Sequence, residues 1–345
     1  MKKYSSLSIC IFISLICSAQ VSEKRKLQEI ESSKACGGID SVMAKKGSWK
    51  KVEDDLAFLD KSFPRSQYKL VNSRIDSFIS LVKSGIPSLN GFEASWYRGM
   101  RGDSYISQGS LPYRLASFYL TYGCNIPSGK IVLGDETGNW VYVFVNKFQW
   151  FFKDVDTWDI DGDGKMNTIF QLPVKAGQWK GMTVYELKIS THFTSRSVII
   201  GRNGKVPWRS LTQKQYLTGL KNQLLNHLKK TKPGSGSEKD NVIKLKYIDD
   251  YLAIASEDTL QKPAIIHPQS GIWGFKGKFG DEESGGYRLV LLTANDKYFD
   301  KDLPRHVPQL IQLYWSYGRW PPDLHFKNQF EETFLLEKLK SMIDK

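Results

Sequence analysis

Three stretches of this chain carry residue types that can do chemistry at their spacing. The first is Asp159-Ile160-Asp161-Gly162-Asp163-Gly164-Lys165-Met166-Asn167. Carboxylates at the first, third and fifth places, glycine at the sixth and a side-chain oxygen at the ninth match the start of a calcium loop. Ca²⁺ collects six to eight hard oxygens, and the glycine permits the sharp turn. Asp159, Asp161, Asp163 and Asn167 are therefore the metal-ligand candidates, with Ca²⁺ as the ion. The twelfth place, where a bidentate Glu belongs, holds Phe170. Strand-like residues, not helices, flank the loop, so a bare Asp/Gly hairpin turn is the competing reading.

The second stretch is basic. Residues 209–232 hold Arg209, Lys214, Lys221, Lys229, Lys230 and Lys232 and no acid. Such a run can meet a polyanion, or it can be a solvated helix rim whose terminal lysines complement the helix dipole. Arg209, Lys214, Lys221, Lys229 and Lys230 are the candidates for polyanion binding. The third stretch, Arg101-Gly102-Asp103-Ser104, contains the tripeptide of adhesive proteins, but a polar Gly-centred turn explains it equally.

Enzyme signatures are not found. His192, His227, His267, His306 and His325 are scattered, without HExxH spacing, and no G-x-S-x-G, Walker or G-x-G-x-x-G motif occurs. Neighbouring acids such as Asp249-Asp250 and Asp281-Glu282-Glu283 would face opposite ways on a strand and could not flank one bond. Aromatics reach 13% and include ten Trp. Exposed rings stack on sugars, whereas rings in alternating strands belong to the core; Trp320-Pro321-Pro322 reads as an exposed turn.

The address comes from the first residues. Lys2 and Lys3 precede an apolar run from Leu7 to Ile16 that is too short to span a bilayer of about 30 Å. Cys17-Ser18-Ala19 offers small residues for cleavage before Gln20. Residues 1–19 thus read as a signal peptide. Acylation at Cys17 is disfavoured by the bulky Ile16 before it. No later run is long enough to cross a membrane. The mature chain is expected to be soluble and periplasmic or extracellular, which makes nucleic acid a poor partner. Removing Lys2 and Lys3 lowers the net charge from +13 to +11. Cys10 and Cys17 leave with the leader, and the remaining Cys36 and Cys124 read as one disulfide in an oxidising compartment.

These features need elements to hold them. Tyr68, Val71, Ile75, Phe78, Ile79 and Val82 recur at helical steps and predict a helix over 66–84, stopped by Gly85. Lys130–Leu133 and Asn139–Val145 flank a Gly/Asp-rich turn and read as a hairpin. Thr183–Ile189 and Ser197–Ile200 are further strands. Thr212 and Gln215 form a capping box for a helix over 213–230, with Leu211 and Tyr216 as its hydrophobic staple. Beyond it, a helix near 244–256, strands at 264–267, 286–293 and 309–316, and a helix over 329–343 are expected.

The organisation follows: a polar arm at 20–47, a domain at 48–230 ending in the basic helix, a linker or surface loop at 231–241, and a small domain at 242–345. The class is α+β, mostly antiparallel and hairpin-linked, with peripheral helices, in two units joined by the Gly/Ser stretch. The function these residues support first is a non-enzymatic, exported or envelope-associated binding protein for an anionic glycan or surface polymer. The second reading is a secreted hydrolase, calcium-stabilised, with a site built from distant residues.

Overall fold

A computed structural model describes residues 33–58, 65–101, 110–134, 138–149, 151–188, 193–293 and 298–345. The signal peptide, the Gly102-Asp103-Ser104 portion of the adhesive motif, residues 135–137, Trp150 and His192 lie outside them.

Residue alternation sorts the strands into two sheets. The large one contains ten strands: β1 (Trp49–Lys51), β2 (Asp55–Phe58), β3 (Phe92–Arg101), β4 (Tyr113–Asn125), β5 (Lys130–Leu133), β6 (Asn139–Val145), β9 (Val174–Trp179), β10 (Met182–Lys188), β11 (Thr194–Gly201) and β15 (Leu310–Tyr317). Its main order is β1-β3-β4-β6-β15-β11-β10-β9. Only β1 and β2 run parallel to their partner β3. The small sheet contains β7 (Lys153–Asp159), β8 (Met166–Gln171), β12 (Trp208–Ser210), β13 (Ile265–Ile266) and β14 (Tyr287–Leu292), all antiparallel.

Odd-numbered residues of β15, with Val141, Val143 and Val145 of β6 and Leu115 and Tyr119 of β4, face one core. Three helices cover that face: α2 (Arg65–Ser84), α6 (Pro321–Thr333) and α7 (Leu336–Lys340). The opposite face of β10, β11 and β15 supplies Tyr185, Ile199 and Leu310, which meet Phe170, Trp208 and Val290 of the small sheet. The far face of the small sheet turns Trp158, Ile169, Leu289 and Leu291 toward α3 (Gln213–Leu228), α4 (Gly236–Ile254) and α5 (Glu257–Leu260). Period-two alternation thus gives four layers: helices, large sheet, small sheet, helices. Lys175 on β9 and Arg288 on β14 both bind Glu282, at 2.5 and 2.8 Å, and pin one sheet to the other.

The α+β class and its antiparallel pairing are as expected. The cysteines are bridged: Cys36 and Cys124 form a disulfide that ties the N-terminal segment to β4. Closing a loop of 88 residues stabilises the fold by about 4–5 kcal/mol in the chain-entropy model. The capping box of α3 is present, with Gln215 N–H donating to Thr212 Oγ1 and the Gln215 side chain accepting from Thr212 N–H.

Several details differ. From Ser33 onward the expected polar arm is a 3₁₀ turn (Ser33–Cys36) and α1 (Ile39–Ala44), anchored by fully buried Val42. β5 and β6 are not a hairpin: both pair with β4, β5 with residues 122–125 and β6 with 113–119. They lie one after the other along β4. Residues 231–241 do not divide the sheets between an earlier and a later half of the chain, because β15 lies between β6 and β11, and β14 between β12 and β8. Instead they hold the turn of a helical hairpin, and α4 begins at Gly236 with Ser235 as its cap. The C-terminal helix is two helices broken at Phe334, whose backbone leaves the helical region as its ring enters the core. Trp320-Pro321-Pro322 is a helix start, with Trp320 at the cap and the prolines in the first turn, where their lack of an N–H costs nothing.

Candidate functional site

The acidic stretch is the tip of the β7–β8 hairpin, and its oxygens already have partners. Asp159 Oδ1 accepts from Gly162 N–H at 2.8 Å and Oδ2 from Gly164 N–H at 3.0 Å. Gly162 and Gly164 sit at φ of 73° and 84°, where a side chain would strain the backbone. Asp163 Oδ1 accepts from Lys165 N–H at 2.9 Å, and that bond, with the Lys165 charge, holds its carboxyl below the usual range. Asp161 accepts from Gln215 Nε2 at 2.8 Å, while Asn167 donates to Lys165 O. Among the described residues no group of three or more His, Cys, Asp or Glu is arranged to hold a metal ion. What the loop does visibly is hold α3. Besides Gln215, Asn222 donates to Asp159 O and Gln223 to Thr157 O. Gly219 permits this close seating, since a Cβ there would lie 2.9 Å from the Trp158 ring.

The five basic candidates do not act together. Lys214 pairs with Glu257 at 3.0 Å and Lys221 with Asp249 at 2.6 Å. Hydrogen bonds from Gln261 and then Lys214 hold the Glu257 carboxyl below its ordinary range. Arg209 donates to Gln215 Oε1 beside the capping box. Lys229 is the C-cap of α3. Lys230 alone lines a cleft.

That cleft, about 500 Å³, lies between the C-terminal turns of α3 and the N-terminal turns of α4. One wall is Gln223, Asn226, His227 and Lys230; the other is Ser237, Asp240, Asn241 and Lys244. Gln223, Asn226 and His227 form one polar stripe of α3, continued by Lys230 just past its cap, and Ser237, Asp240, Asn241 and Lys244 form one of α4. Trp273 completes the lining. Its indole N–H donates to Asp156 Oδ2 at 3.1 Å, and its ring meets Trp158 edge-on at 5.8 Å, which fixes its plane. Asn241, 4% exposed, lies with its Nδ2 3.0 Å from His227 Nδ1. Lys244 is paired with Asp240 at 2.6 Å, and Lys230 makes no ion pair among the described residues. The cleft therefore offers two ammonium groups against one carboxylate, three side-chain amides, a hydroxyl, an imidazole and an indole.

A larger cavity, about 610 Å³, opens beside β10 and β11. Its charged groups are engaged elsewhere: Lys340 with Glu337, and Asp344 with Arg202. The aromatic excess mostly belongs to the cores, with Trp158 and Trp315 fully buried. Sequence reasoning missed Trp273, and it missed α4 as a second wall. Asn241 and Lys244 share one helical face with Ser237 and Asp240, a polar stripe that a wheel drawn from residue 236 reveals.

No family model matches the chain, and no curated protein or solved structure matches it.

Proposed function

We propose that this is an exported binding protein that takes an anionic glycan in the cleft between α3 and α4. The observation that carries the reading is the pair of facing polar stripes, 223/226/227/230 and 237/240/241/244, lined by one oriented indole. Ammonium groups meet carboxylate or sulfate, amides and hydroxyls meet sugar hydroxyls, and an indole face meets a ring. Export is supported by the leader-like first 19 residues and by the disulfide, since such bonds persist in oxidising compartments. Among the described residues no helix is long and apolar enough to cross a membrane. Binding is favoured over hydrolysis because the only carboxylate lining the cleft among the described residues is bound to Lys244, and the histidine there is engaged by Asn241.

Heparin affinity tests the reading. Replacing Lys230 and Lys244 with Gln is expected to weaken binding about tenfold, or about 1.4 kcal/mol. Replacing Lys214 and Lys221, which do not line the cleft and pair with Glu257 and Asp249, is expected to change it less than about twofold. Equal losses in the two variants would assign binding to net charge and overturn the cleft.

A further inference from the structure

We propose that the ligand continues out of this cleft into a second cationic cleft, so that the protein holds an extended polyanionic glycan rather than a single sugar; the proposal rests on the first cleft being the glycan site. The second cleft, about 250 Å³, is lined by His267, Gln269, Ser270, Phe275, Lys276 and Lys278, among others. Lys276 and Lys278 make no ion pair among the described residues. Its chemistry is close to that of the first cleft: two ammonium groups, an imidazole, an amide, a hydroxyl and two phenyl rings.

The two clefts share a wall. Trp273 lines the first, and the next residues, Gly274 and Phe275, line the second. The shared segment is held in place. Tyr216 Oη donates to Ile272 O at 2.7 Å, Gly274 N–H donates to Gly271 O at 2.7 Å, and the Phe275 ring meets Tyr251 and Phe279 at 5.6 and 5.1 Å.

A path joins them along α4. Tyr247 lies three residues beyond Lys244, hence on the adjoining stretch of the same helix face. Its side chain is 39% exposed and lies against Gly277, between the two lysines; a methyl at Gly277 would sit 3.7 Å from the ring. A chain leaving Lys230 and Lys244 therefore meets an exposed ring and then Lys276 and Lys278.

Heparin oligosaccharides of increasing length are the probe, titrated calorimetrically against the intact chain. For the unmodified protein the octasaccharide is expected to bind about tenfold more tightly than the tetrasaccharide, because the second contact is made intramolecularly. In the Lys276→Gln/Lys278→Gln variant that ratio is expected to fall to about one. An unchanged ratio in the variant overturns the second cleft while leaving the first intact. Failure of the unmodified protein to bind either oligosaccharide overturns the first cleft and this inference with it. Equal affinity for single-stranded DNA of matched charge overturns the glycan as occupant.

Discussion

On the large sheet, α2 turns Val71, Ile75, Phe78 and Val82 inward with no exposed surface, and α6 does the same with Phe326 and Phe330. At the other side of the molecule α4 buries only Asn241 and Ile248, and leaves Val242, Ile243, Tyr247 and Ile254 in solvent. The first helical layer is joined to its sheet by close-packed aromatic and aliphatic contacts. Trp179, Trp315 and Phe330 lie within 5.1–6.1 Å of one another, and Glu331 binds Arg196 and the Trp315 indole. The second layer meets its sheet through Trp158, Ile169, Leu289 and Leu291, while the Lys214–Glu257 and Lys221–Asp249 pairs join its helices to one another and Gln215 binds Asp161. α4, held at its edges, leaves the cleft beside α3. The contrast predicts that the second layer contributes less to stability.

Core truncation tests this contrast most severely. Phe330→Ala is expected to cost about 4 kcal/mol in urea denaturation and Ile248→Ala about 2 kcal/mol, the lower figure reflecting a helix free to settle into the space. Equal costs would abolish the distinction between the layers.

The link between the sheets comes next in size. Burial pushes the Glu282 carboxyl up, but its bonds to Arg288 and Lys175 outweigh burial and hold it below its ordinary range. A carboxyl depressed in the fold stabilises above its unfolded pKa, and that contribution is lost as pH falls through the folded one. Glu282→Gln is expected to cost about 1 kcal/mol at neutral pH. Below about pH 4.3 the variant should lose stability less steeply than the unmodified chain. Parallel acid profiles would show that Glu282 does not join the layers electrostatically.

The smallest effect is expected at the helix pair itself. Lys221→Met removes an exposed ion pair and should change stability by less than about 0.5 kcal/mol. A loss above about 1.5 kcal/mol would mean that charge, rather than Ile248, fixes α4 on α3.

Local signals are the readable ones. The α2 periodicity, the α3 capping box, the bounds of β5 and β6, and the cysteine pair all follow from residues that act within one element or from simple counting. Partnerships across the chain do not. Lys214 and Lys221 look like free cations until Glu257 and Asp249 are brought beside them, 43 and 28 residues away. The Asp159 loop looks like a metal site because its spacing does not reveal that Gly162, Gly164 and Gln215 take its oxygens. The break at Phe334 is hidden because a buried Phe fits the apolar stripe of a continuous helix equally well. The cleft is half legible: Lys230 stands out as a basic residue, but its opposing wall requires knowing that 231–235 folds α4 back along α3.

The position of β15 bears on how the protein is made. Its residues are synthesised after every other strand of the large sheet, yet they pair with β6 on one side and β11 on the other. Roughly 110 residues separate β11 from β15, and a ribosome adding about 5–20 residues per second needs about 5–20 s to supply them. Throughout that interval β6 and β11 each lack one neighbour, and open strand edges invite pairing with other chains. The nascent chain cannot close its main sheet until β15 has been made.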